Sequence, residues 1–70
     1  MTTGKRLHRL ADVGEIHMGR QIDVNGMRGT LTGLIPIKGR VVVAMVVGGA
    51  RVWSDALPGE TCVEIWKEGP

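Results

Sequence analysis

Few residues in this 70-residue chain have the chemistry of a reactive site. Ser54 and Asp55 put a hydroxyl beside a carboxylate. Nucleophilic catalysis also needs a histidine held against the hydroxyl, and neither His8 nor His17 lies in the same segment. His8 falls on the polar side of a predicted helix. His17 alternates with Ile16 and Met18 and is expected to face solvent. Glu60 and Glu64 would be a carboxylate pair only if something fixed their separation, and the pattern puts one in a turn and the other in a strand. The single cysteine, Cys62, cannot form an intramolecular disulfide and is expected to pack as a small buried or half-buried residue. One cysteine and two histidines lack the spacing of a zinc site. Gly26-x-x-Gly29 and Gly48-Gly49 precede no helix, so they are turn glycines and not phosphate loops. These residues imply a non-enzymatic protein with no cofactor and no metal.

Binding is the remaining class of function. The net charge is +2, and Lys5, Arg6, His8 and Arg9 cluster near the start. Arg20, Arg28, Lys38 and Arg40 are the candidate nucleic-acid contacts, with Arg51 further along. Proteins that hold single strands stack bases on aromatic rings, yet Trp53 and Trp66 are the only aromatics of the Phe, Tyr and Trp class. An aromatic cage for a methylated cation is excluded on the same ground. An oligomeric DNA- or RNA-binding protein is therefore the alternative reading, since assembly would multiply a weak positive charge.

The elements that must position these residues follow from periodicity. In residues 5–13 (KRLHRLADV), Leu7, Leu10 and Ala11 have helical spacing. This predicts a short N-terminal helix within residues 1–14, capped by Thr2 or Thr3 and ended by Gly14. From residue 15 the period becomes two. Asn25-Gly26 predicts a type I′ hairpin. A strand from Met27 to about Ile35 follows, with Gly29 and Gly33 suited to a sharp bend and Pro36 and Gly39 marking a loop. Arg40 to Val47 is the next strand, Gly48-Gly49 a second tight turn, and Ala50 to Ser54 its partner. DALPGE reads as one turn of 3₁₀ helix, Thr61 to Lys67 as the last strand, and residues 68–70 as a tail.

This layout over residues 15–67 resembles the SH3-like small β-barrels, the broad group that includes KOW, Tudor-like and Sm-like domains. Gly19-x-x-Ile22-x-Val24 followed by Gly26-x-x-Gly29-x-Leu31 resembles a contracted KOW pattern, and Val24-Asn25-Gly26 resembles the Sm-like turn. The resemblance implies a mainly β, five-stranded barrel, to which the short helix is added. It does not carry a function.

The run VVVAMVV, Val41 to Val47, has apolar residues on both faces of one strand. With Gly48-Gly49 as the turn, Val43, Met45 and Val47 face inward with Ala50, Val52 and Ser54. Val42, Ala44 and Val46 then face outward beside Arg51 and Trp53. In the last strand Val63 and Ile65 face inward, while Cys62, Glu64 and Trp66 face outward. Val42, Ala44, Val46, Arg51, Trp53 and Trp66 are the expected protein interface. Either the N-terminal helix covers this face or another chain does, and its size favours another chain. A domain this small buries only ~60% of the surface of its unfolded chain, so assembly supplements a thin core. The expectation is a homo-oligomer that acts as a protein-binding module. No run approaches the ~20 apolar residues of a membrane span and no signal sequence is evident, which places it in the cytoplasm. Absent Phe and Tyr, a single Asn and an excess of Arg over Lys fit the codon bias of a GC-rich genome, such as that of an actinobacterium or one of its phages. A phage accessory protein acting on a host factor is the corresponding expectation.

Overall fold

Three two-residue turns fix the register of this chain. Residues 5–66 are described by a computed structural model. Strand β2 (Gln21–Val24) turns at Asn25-Gly26 into β3 (Met27–Ile37), β3 turns at Lys38-Gly39 into β4 (Arg40–Val47), and β4 turns at Gly48-Gly49 into β5 (Ala50–Trp53). All six turn residues have positive φ, as type I′ turns require. The Gly26 amide also donates to Asp23 Oδ1 at 3.0 Å. Short strand β6 (Leu57–Pro58) and β7 (Cys62–Trp66) follow, and β1 (Lys5–Arg9) precedes them all.

The strands form one antiparallel sheet in the order β1-β7-β2-β3-β4-β5, with β6 paired to β4 beyond the end of β5. The chain is mainly β, as the periodicity predicts, but the sheet does not close. β1 and β5 are its two free edges. Leu10, Val13, Ile22, Val24, Leu31, Val43, Met45, Val63 and Ile65 make the core on one face. Gly29 is required by close approach: a Cβ there would sit 2.6 Å from the Val46 carbonyl oxygen. The register slips by one residue between Leu31 and Gly33, a bulge that bends β3 where the two glycines suggest a bend.

No N-terminal helix forms among the described residues. Residues 5–9 are a strand paired to β7 in the register Lys5↔Trp66 to Arg9↔Cys62, and only Leu10–Asp12 form a 3₁₀ turn. Two or three helical turns are unstable alone. Pairing along the open edge of β7 satisfies the same backbone groups and delivers Leu10 to the core at 2% exposed. The expected caps Thr2 and Thr3, Lys67 and the 68–70 tail lie outside the described residues.

Four smaller corrections have equally local causes. Glu15–His17 form a second 3₁₀ turn, so His17 is buried while Ile16 is exposed, the reverse of the alternation expected. Pro36 lies inside β3 opposite Val41. It is next to the pair that closes the turn, so its nitrogen points away from β4, on the side where β2 pairs only as far as Thr30, and no ladder bond is lost. DALPGE contributes β6 in place of a 3₁₀ turn. Cys62 is exposed because it shares the outward side of β7 with Glu64 and Trp66.

Candidate protein interface

The outer face is built by cross-strand pairing. Val42 lies opposite Ile35, and Ala44 lies between Gly33 and Trp53. Val46 lies between Thr30 and Arg51. Val43 and Met45, which alternate with them along β4, point the other way and are fully buried. Ile35 is 42% exposed, Ile37 44% and Trp53 56%, so one contiguous side of β3, β4 and β5 presents apolar side chains with no cover from the described residues. Glycine at position 33 leaves Ala44 and Trp53 without a bulky neighbour on that side. A shallow recess beside this patch is lined by Val24, Asn25, Met27, Trp53, Ser54, Asp55 and Leu57. Ile35 and Ile37 are part of this surface although the sequence alone did not point to them. The signal that would have found them is the Lys38-Gly39 turn, which extends β3 and sets both residues on the same side as Val42.

Trp66 is separate from this patch. It is half-buried, with the Arg28 guanidinium 4.5 Å and the Lys5 ammonium 5.4 Å from its ring centroid. Lys5 also pairs with Glu64 at 3.3 Å. Across the sheet from this cluster, Asp23 lies opposite both Arg28 and Glu64. The outer face thus has an apolar half on β3–β5, flanked by Arg40 and Arg51, and a charged half on β1, β7 and β2.

The four candidate nucleic-acid contacts do not come together. Arg28 stacks on Trp66. Lys38 and Arg40 sit at the β3–β4 turn, where Arg40 donates to the Ala56 carbonyl at 3.3 Å. Arg20 lies in a different cleft with Arg6, His8 and His17. Ser54 is committed to structure: its Oγ accepts from the Val43 amide at 2.9 Å and donates to the Asp55 carbonyl at 2.8 Å. No helix of the described residues is long and apolar enough to cross a membrane.

Comparison with known proteins finds no matching family model, no matching curated protein and no matching solved structure.

Proposed function

We propose that this chain is a non-enzymatic protein-binding module that self-associates, with a second copy seated on the outer face of β3, β4 and β5. The observation that carries this reading is the apolar set on one face, with Ile35 and Trp53 exposed and Val42 and Ala44 half-buried between them. The segment that was the alternative cover runs along the opposite edge of the sheet as β1. Exposed apolar patches of this kind mark interaction surfaces, and tryptophan is enriched at the centres of interfaces. A second copy suits the face because both halves of it find a counterpart there. Apolar side chains meet apolar side chains, and Arg51 meets a surface that carries Asp23 and Glu64. A two-fold contact is self-complementary in this way.

The SH3-like reading belongs with this proposal. Three consecutive tight hairpins, with a last strand that returns beside β2, support an open, curled barrel of β2, β3, β4, β5 and β7. A phage accessory protein that acts on a host factor fits the composition, with the same face or the recess beside Trp53 as its point of contact. The commitment of Ser54 to backbone partners supports a non-enzymatic role. The dispersal of Arg20, Arg28, Lys38 and Arg40 gives less support to a nucleic-acid surface than to a protein surface.

Sedimentation velocity across a concentration series tests the reading. Wild-type protein should sediment as an oligomer that dissociates on dilution, and Trp53→Ala and Val42→Lys should shift it toward monomer while leaving the strand circular-dichroism signal unchanged. A wild-type monomer at every concentration would overturn it.

A further inference from the structure

β1 is amphipathic in the unusual sense. Leu7 faces outward and is 69% exposed, whereas Arg6 and His8 share the inward side with their partners Ile65 and Val63. Because β1 overhangs the core, these two basic residues do not enter it. They form one wall of a cleft whose other wall is the Glu15–Arg20 segment, and the lining is Arg6, His8, Ile16, His17, Arg20 and Ile65. Among the described residues, four basic side chains and no carboxylate therefore line one small space.

The cleft is pre-organised on its inner wall. The Arg20 amide donates to the His17 carbonyl at 3.2 Å, and the Arg20 carbonyl accepts from the Leu31 amide at 2.9 Å. His17 is 6% exposed, and its Nδ1 accepts from the Gly14 amide at 3.0 Å. That bond leaves the proton of the neutral ring on Nε2, as a donor. The His8 and His17 rings meet edge to face at 4.9 Å between centroids. The nearest carbonyl to His8 Nδ1 is that of Arg6, at 3.2 Å. A carbonyl only accepts, so Nδ1 is the donor of that bond. Among the described residues the side-chain ion pairs are Lys5–Glu64 and Arg9–Asp12, and neither uses Arg6 or Arg20. Burial first, and then the neighbouring His8 and Arg20, push the His17 pKa below the ordinary 6.5.

We infer that this cleft binds a doubly charged tetrahedral oxyanion, the terminal phosphoryl group of a small molecule. Arg6 and Arg20 supply guanidinium donors matched to such oxygens, and His17 Nε2–H supplies a third donor, with the His8 ring beside it. Ile16 and Ile65 offer an apolar wall to the body that carries the phosphoryl group. The inference does not depend on self-association, because the cleft lies on the inward side of β1, away from the outer face.

The test is an amide and imidazole NMR titration with sulfate at constant ionic strength. Sulfate keeps two charges through the range in which histidine titrates, so any pH dependence belongs to the protein. Sulfate should give saturable shifts at Arg6, His8, His17 and Arg20, with tighter binding at about pH 6 than at about pH 8. The groups facing the two rings are Arg6 from β1 and Arg20 from the opposite wall, both charged throughout that range. Arg6→Gln and Arg20→Gln should each weaken binding about tenfold. Arg9→Gln removes an equal charge from the outer side of β1 and should not. A nucleoside monophosphate should displace sulfate from the same resonances. Shifts that fail to saturate, an equal loss in Arg9→Gln, or displacement by a single-stranded oligonucleotide in preference to the monophosphate would each overturn the inference.

Discussion

His17 and Gly29 show how single residues are held by their surroundings. His17 is buried beside His8 and Arg20, and its pKa lies below the ordinary value for these reasons, burial first. In the unfolded chain the ring regains that ordinary value, so between the two pKa values the unfolded state binds more protons. Stability then rises with pH across that interval. It is fully present above about pH 6.5 and is lost as pH falls through the lowered folded value. Denaturant melts of wild type and His17→Gln across this range should differ in slope, with the variant the flatter. Gly29 is governed by contact. A Cβ would lie 2.6 Å from a backbone oxygen and 2.8 Å from Val47 Cγ2, so Gly29→Ala should destabilise the fold by roughly 1–3 kcal/mol, read as a lower denaturation midpoint. The sequence marked Gly29 as a bend but did not show what it approaches, because that neighbour lies on β4 and depends on the bulge after Leu31. It also placed His17 in solvent. Strand alternation gives that answer, and only the 3₁₀ turn at Glu15–His17 reverses it.

At the scale of elements, the turns were the most legible feature and the first segment the least. Asn25-Gly26 and Gly48-Gly49 declare themselves through residues that tolerate positive φ. Lys38-Gly39 does not, because lysine at φ 47° is unusual, and the sequence assigned this stretch to a loop. That turn gives a direct test of the strain it carries. Lys38→Asn restores the preferred type I′ pair and should raise stability by about 0.5–1 kcal/mol, measured by chemical denaturation. Residues 5–9 were misread for a different reason. Leu7, Leu10 and Ala11 do have helical spacing, but they serve separate ends: Leu7 faces outward, Leu10 enters the core and Ala11 packs against Gly59. The open edge of β7 decides the matter, and no local pattern reports an open edge contributed by residues more than fifty positions away.

For the whole molecule, the alternation of VVVAMVV predicted both faces of β4. Val43 and Met45 are buried and Val42 and Ala44 lie on the outer side. What lies over the outer side was not legible, because it depends on where the first segment goes. With β1 on the far edge, the β3–β5 face is uncovered by the described residues. Burial of large apolar side chains is worth roughly 1.5–3 kcal/mol each, a substantial gain for a domain of this size. Isotope-filtered NOE spectroscopy tests the central claim most directly, on a concentrated mixture of ¹³C-labelled and unlabelled protein. The account predicts intermolecular NOEs linking the methyl groups of Ile35 and Val42 to the Trp53 ring of a second copy. Absence of intermolecular NOEs at this face, or their confinement to Leu7 and the β1 edge, would contradict it.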